Sequence, residues 1–204
     1  SSTTNLVGTV GWSHDNRDSV IYTTEGIVQH AFAELALPVS NQRYYKLTYQ
    51  QQWFHPLSRE VTLMLNGEGG VGNGYGGKPL PFFKNFYAGG PGSVRGFEPS
   101  SLGPRDSYNN ALGGTKRIVG NAELLFPMPG MSKEKSVRLS AFADAGAVYG
   151  QGDLAGTSGL RYSAGLAFTW ISPIGPLKIS YGKPLNLKPT DKVQKFQFTL
   201  GSIF

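Results

Sequence analysis

Few residues in this sequence have the type and spacing to do chemistry. His14, His30 and His55 stand far apart and there is no cysteine, so no metal cluster is expected. Glu25, Glu34, Glu68 and Asp144 share no spacing that would pair them as general acid and base. No serine sits in a Gly-x-Ser-x-Gly elbow. The glycine-rich run 67–77 contains Gly72-Asn73-Gly74-Tyr75-Gly76-Gly77, yet it lacks the Lys-Ser/Thr pair and the following helix of a phosphate cradle. Neither an enzyme nor a cofactor is therefore expected. What remains is an arginine. Arg95 follows Gly89, Gly90 and Gly92, which let a loop fold back tightly, and its planar fork can grip carboxylates bidentately. Glu123 and Asp144 are the carboxylates that the flanking strands place in phase to receive it.

Those strands are marked by two-residue periodicity. From Arg43 to Phe54, Tyr45, Leu47, Tyr49 and Trp53 oppose Lys46, Thr48, Gln50 and Gln52, sets that a helix would mix. Val61, Leu63, Leu65 and Val71 oppose Thr62, Asn66 and Glu68. From Ser136 to Val148, Val137, Leu139 and a row of alanines oppose Ser136, Arg138, Ser140 and Asp144. Leu160, Tyr162, Ala164, Leu166, Phe168 and Trp170 oppose Arg161, Ser163, Gly165 and Thr169. The pattern continues through Leu177, Ile179 and Tyr181, and through Phe196, Phe198, Leu200 and Phe204. Weaker versions span Asn5 to His14, Ile27 to Pro38 and Ile118 to Phe126, which makes nine strands.

Soluble sandwiches and barrels alternate too, so the content of the two faces decides. Turned inward, the aromatic rows would crowd the centre and leave a Gly, Ser, Thr and Gln surface in water, where Lys and Glu normally dominate. Turned outward, they face lipid around a polar lumen, with Trp12, Trp53, Tyr149, Tyr162, Trp170 and Phe204 near strand ends as interfacial girdles. Arginine at Leu166 or Leu139 is then expected to be costly, and at Ser163 or Ser140 cheap. The connection 76–117, far longer than a hairpin, is expected to be an external loop. Counting onward puts Pro127 to Lys135 inside, Gly150 to Gly159 outside, Ser172 to Pro176 inside, Pro184 to Val193 outside, and the C-terminus in the periplasm. Nine is an odd number, whereas bacterial single-chain barrels have even counts, so the chain reads as the back part of a larger barrel. An inward fold of the long loop would carry Arg95 to Glu123 and Asp144. The competing reading leaves Arg95 solvated and the carboxylates as ordinary lumen groups.

Composition agrees with the barrel. With 28 Gly and 13 Pro in 204 residues, long helices are disfavoured. Aromatic residues at 12% and charged residues at 16% are unlike a disordered chain. A mean hydropathy of -0.23 is compatible with a membrane barrel, because the two faces average out. The net charge of +6 is spread along the chain without a basic run, so no nucleic-acid partner is expected. The sequence shows no initiating Met and no leader pattern, and is expected to begin after a signal or within something longer.

Four segments are more specific: Gly89-Gly90-Pro91-Gly92-Ser93-Val94-Arg95-Gly96-Phe97, Asn121-Ala122-Glu123-Leu124-Leu125-Phe126-Pro127, Phe142-Ala143-Asp144-Ala145-Gly146, and Phe196-Gln197-Phe198-Thr199-Leu200-Gly201-Ser202-Ile203-Phe204. In this order, from Leu6 to Phe204, they resemble the C-terminal half of the BamA family, the outer-membrane protein assembly factors of Gram-negative bacteria. The resemblance implies an all-β fold, a transmembrane antiparallel β-barrel of which residues 1–204 are the C-terminal portion, about nine strands of sixteen. POTRA domains and roughly seven strands are absent and expected upstream. It implies a place in the bacterial outer membrane and a share in the insertase that folds and inserts β-barrel proteins. Its partners would be outer-membrane lipid, unfolded β-barrel clients and, in the full-length protein, the lipoproteins of an assembly complex.

By the same resemblance, Val94, Arg95, Gly96 and Phe97 are the loop motif, and Glu123 and Asp144 the lumen partners of Arg95. The family's lateral opening lies between its first and last strands. Gly201, Phe196, Phe198, Leu200 and Phe204 would form one lip of that gate, with Gly201 weakening or kinking the strand. The terminal aromatics also read as a plain lipid-facing strand and as the C-terminal signal by which barrels are themselves recognised for assembly. A β-barrel translocator of the two-partner secretion type shares the loop Arg and strand Asp and is the alternative. The Glu123 strand and the run Asn85-Phe86-Tyr87-Ala88-Gly89-Gly90 favour the insertase, and a passive porin is disfavoured because the loop would plug it. Nine strands alone could close only narrowly. Either the loop is displaced outward or the sheet stays open, with self-association through its first and last strands as the expected escape.

Overall fold

The computed structural model describes residues 2–153 and 159–201. Nine strands form one antiparallel sheet: β1 (Val7–Asp15), β2 (Gly26–Ala36), β3 (Tyr44–Pro56), β4 (Thr62–Gly74), β6 (Lys116–Pro127), β7 (Val137–Tyr149), β8 (Arg161–Ser172), β9 (Gly175–Pro184) and β11 (Phe196–Leu200). Two short strands, β5 (Gly96–Phe97) within the long loop and β10 (Val193–Gln194) just before β11, make a separate ladder. The main sheet follows chain order without a crossover. Its strands of up to 13 residues, tilted, are long enough to cross a hydrocarbon core. Among the described residues no ladder joins β1 to β11, so the sheet is open. The long loop, 75–115, is not displaced outward and lies against the inner face instead. Strand β6 begins at Lys116, inside the expected loop, because Lys116 and Arg117 pair with Val71 and Gly70.

The two faces separate as alternation requires. Val10, Leu166 and Phe196 on the outer face are 73%, 63% and 69% exposed, whereas Glu123, Asp144, Ser180 and Gln197 on the inner face are all buried. Trp12, Trp53 and Trp170 lie on the outer face at the end of the sheet that carries the connections 16–25, 57–61, 128–136 and 173–174. Tyr149 departs from the expected girdle. Its phase is outward, yet it is buried, because Gly159 packs against its ring. On the same outer face Gln29, Tyr49 and Gln51 hydrogen-bond to one another, supplying partners that lipid could not.

The connection 16–25 is built around Asp18. Partial burial opposes charge there, but the Thr24 hydroxyl and the Thr24 and Glu25 amides outweigh it and hold the carboxyl below its usual range. The segment folds under the sheet, where the Arg138 guanidinium of β7 lies 4.0 Å from the Tyr22 ring centroid. Arg138 also donates to the Thr23 carbonyl at 2.6 Å and to the Thr62 hydroxyl at 3.0 Å.

The inner-face expectation for Ser140 and Ser163 needs correction. Both are almost fully buried, and Ser140 donates to Glu123, so neither has room for arginine. Gln50, which lines an internal cavity, is the proper inner-face comparison. Leu166→Arg should destabilise by about 2–4 kcal/mol and Gln50→Arg by well under that, as read from urea unfolding in lipid vesicles. Equal costs would mean that the faces are assigned the wrong way round.

Candidate functional site

The long loop reaches the inner face through glycine. Opposite its first half, Gly70 of β4 lies under the Phe86 ring, where a Cβ would come within 2.5 Å of ring carbon. This is the use of the glycine-rich run that could not serve phosphate. The tip then closes on itself: Gly90 donates to the Val94 carbonyl at 3.0 Å, Ser93 to the Gly90 carbonyl at 3.1 Å, and the Gly89 amide to the Ser93 hydroxyl at 3.0 Å. This turn presents Val94 to a small apolar cluster with Ala88, Phe97, Leu102, Val119 and Val148.

Arg95 follows at the point of closest approach. Its Nε and Nη2 donate to the two carboxylate oxygens of Asp144 at 2.8 and 2.9 Å, a side-on bidentate grip. Its backbone amide adds a third bond to Asp144, at 3.0 Å. Nη1 and Nη2 reach Glu123 at 3.3 Å, and the guanidinium carbon lies 3.6 Å from the centroid of the Phe142 ring. Arg95, Glu123 and Asp144 are 5%, 1% and 3% exposed. The remaining carboxylate capacity is also filled. Ser140 and Lys178 donate to Glu123, the latter at 3.5 Å. Asn121 donates to Asp144 and to the Ser93 carbonyl, each at 2.8 Å. The cluster holds two cations and two carboxylates, so its buried charge is balanced.

Beyond Arg95 the loop lies on the last strands. Gly96 has φ +93°, in the left-handed region, and pairs with Gln194 while Phe97 pairs with Val193. Gly182 of β9 faces this segment, and a Cβ there would come 2.7 Å from the Gly96 nitrogen. Beneath the cluster is a cavity of about 130 Å³ lined by Gln52, Asn66, Lys178 and Thr199 among others.

Of the expected gate residues, Phe196, Phe198 and Leu200 point outward and are exposed. Gly201 stands just past the end of β11 rather than within it, with φ +88° and its amide donating to the Pro176 carbonyl at 2.8 Å. Phe204 lies outside the described residues. Sequence reasoning missed Lys178, Asn121, Ser140 and Gln197 as parts of the site, although all four had the inner phase. It also missed Phe142, whose signal was available: an aromatic on an otherwise polar face needs something to stack against.

Removal of the arginine strands two buried carboxylates. Arg95→Ala should cost about 3–5 kcal/mol, and Arg95→Lys should recover little of it, because an ammonium cannot reproduce the forked contacts. Thermal unfolding in detergent reads both, and a loss below 1 kcal/mol for Arg95→Ala would show that the cluster does not hold the loop.

Comparison with known proteins places this geometry. The Omp85 superfamily domain matches residues 1–204. The outer membrane protein assembly factor BamA of Neisseria meningitidis is 48% identical over 97% of this chain and 28% of its own length. A SAM50-like protein of Schizosaccharomyces pombe is 29% identical over 95% of this chain and 43% of its own length. The crystal structure of Haemophilus ducreyi BamA lacking POTRA domains 1–3 superposes with a TM-score of 0.86 at 30% identity, covering 93% of this chain and 41% of that one. The chain thus spans well under half the length of these relatives. An open, all-β sheet with lipid on one face and an inward-folded arginine loop on the other is the C-terminal portion of a bacterial outer-membrane barrel, and the chain belongs to the Omp85 superfamily.

Proposed function

We propose that this sheet is the closing portion of an outer-membrane insertase, and that the loop 75–115 is external and folded inward. The identity to an outer membrane protein assembly factor over nearly the whole chain carries the reading. The clients are unfolded β-barrel proteins, whose unpaired strand edges are costly in lipid until they find partners. The last strand, β11, with Phe196, Phe198 and Leu200 toward lipid, forms one lip of the opening through which clients leave. Gly201, in its left-handed conformation just past Leu200, ends the strand's regular path. The other lip comes from a strand outside this sequence, as do any contacts to assembly-complex lipoproteins. A passive pore is a poor fit, because the loop is folded onto the inner face and held there by the Arg95 cluster.

The test is reconstitution in liposomes with an unfolded barrel client. The intact protein should accelerate client insertion over empty liposomes, whereas this chain alone should not, since it supplies one lip. Client that appears soluble inside the vesicles would instead identify a translocator, and equal acceleration by this chain alone would show that the second lip is dispensable.

A further inference from the structure

The loop motif is tied to mid-sheet carboxylates by its arginine, but its backbone is held by a different strand. Gly96 and Phe97 pair on one side with β10. On the other side the Gly96 amide and the Phe97 carbonyl face the side chain of Gln197, the second residue of β11. The Gln197 carboxamide accepts from the Gly96 amide at 3.3 Å and donates to the Phe97 carbonyl at 2.6 Å. One side-chain amide thus satisfies one backbone donor and one backbone acceptor of the loop motif. Gln197 is 4% exposed, lies opposite Ser180 in the ladder and sits in the last strand of the main sheet, which among the described residues has a partner on one side only. Gly182, two residues along β9 from Ser180, leaves the space that lets the loop backbone come this close.

We infer that Gln197 is a positioning residue that latches the outermost strand to the loop motif, so that the loop controls how readily β11 separates. This rests on the reading of β11 as a gate lip. Without the carboxamide, β11 keeps its ladder with β9, five residue pairs long from Phe196 to Leu200, and β5 keeps its two-pair ladder with β10. The Arg95 cluster is built on β6, β7 and β9, and β11 meets it through the ladder pair Lys178–Thr199. Glutamine has the geometry for both bonds. Leucine has neither bond at similar volume, and glutamate can accept from Gly96 but offers nothing to the Phe97 carbonyl.

Hydrogen-deuterium exchange on the intact protein in liposomes tests the latch. In Gln197→Leu, amides of 196–200 and of Gly96 and Phe97 should exchange about ten-fold faster, the change expected for one or two net hydrogen bonds, while β6 and β7 stay as slow as in the parent. Gln197→Glu should show the same loss. Unchanged exchange at 196–200 in both Gln197 variants overturns the latch, as does a rise that spreads equally to β6 and β7, which would mark general loosening. Client insertion is measured in parallel. Faster exchange with altered insertion supports latch and gate together, and faster exchange with unaltered insertion supports the latch while overturning the gate.

Discussion

The structure turns on a single guanidinium that cannot be buried alone. A cation taken out of water needs opposite charge and well-aligned acceptors, or the fold loses several kcal/mol. Arg95 obtains both by drawing together Asp144 of β7 and Glu123 of β6, with the Phe142 ring beneath it. The requirement then propagates outward. Glu123 needs Ser140 and Lys178, Asp144 needs Asn121, and Asn121 in turn holds the Ser93 carbonyl of the loop. Because each donor sits on the inner phase of its strand, the register of β6, β7 and β9 cannot slip by one residue without turning these groups toward lipid.

Burial of the loop is thereby reconciled with a membrane location. The strands present polar groups inward, and the loop covers them with its own backbone and with Val94, Phe97 and Leu102, which meet Val119 and Val148. The inner face is neither a water channel nor a uniform hydrophobic core. It is a polar surface with apolar islands, one under the loop tip, one where Leu80 meets Ala36 and Tyr44, and one made of Phe54, Met64 and Leu125. Glycines at facing positions, such as Gly182 and Gly70, let the loop approach the wall at backbone distance.

Much of this was readable in the sequence, and the reason is the period of two. Strand identity, face assignment and the inward phase of Glu123 and Asp144 follow from alternation, which lipid enforces on one side and side-chain pairing on the other. What alternation cannot encode is which inner groups meet. Ser140 and Ser163 looked like open lumen positions because the pattern gives phase but not cover, and the cover comes from a loop with no period of its own. Tyr149 misled for a similar reason, since Gly159, outside any strand, packs against its ring. Lys178 and Gln197 had the right phase but partners 55 and 101 residues away, and no local spacing records such a meeting.

The contacts of Gly96 and Phe97 also impose an order in time. Arg95 waits for Glu123, 28 residues later, and for Asp144, 49 later, and the peptide after it waits for Gln197, 101 residues on. Until that last segment arrives, one buried amide and one carbonyl lack their final partner, a condition that native interiors rarely tolerate. Contacts at such separations form late, because the chain between them must be ordered first. The Gly96–Phe97 end of the loop therefore gains its last two bonds only when the final strand is in place, after the Arg95 end has found its partners.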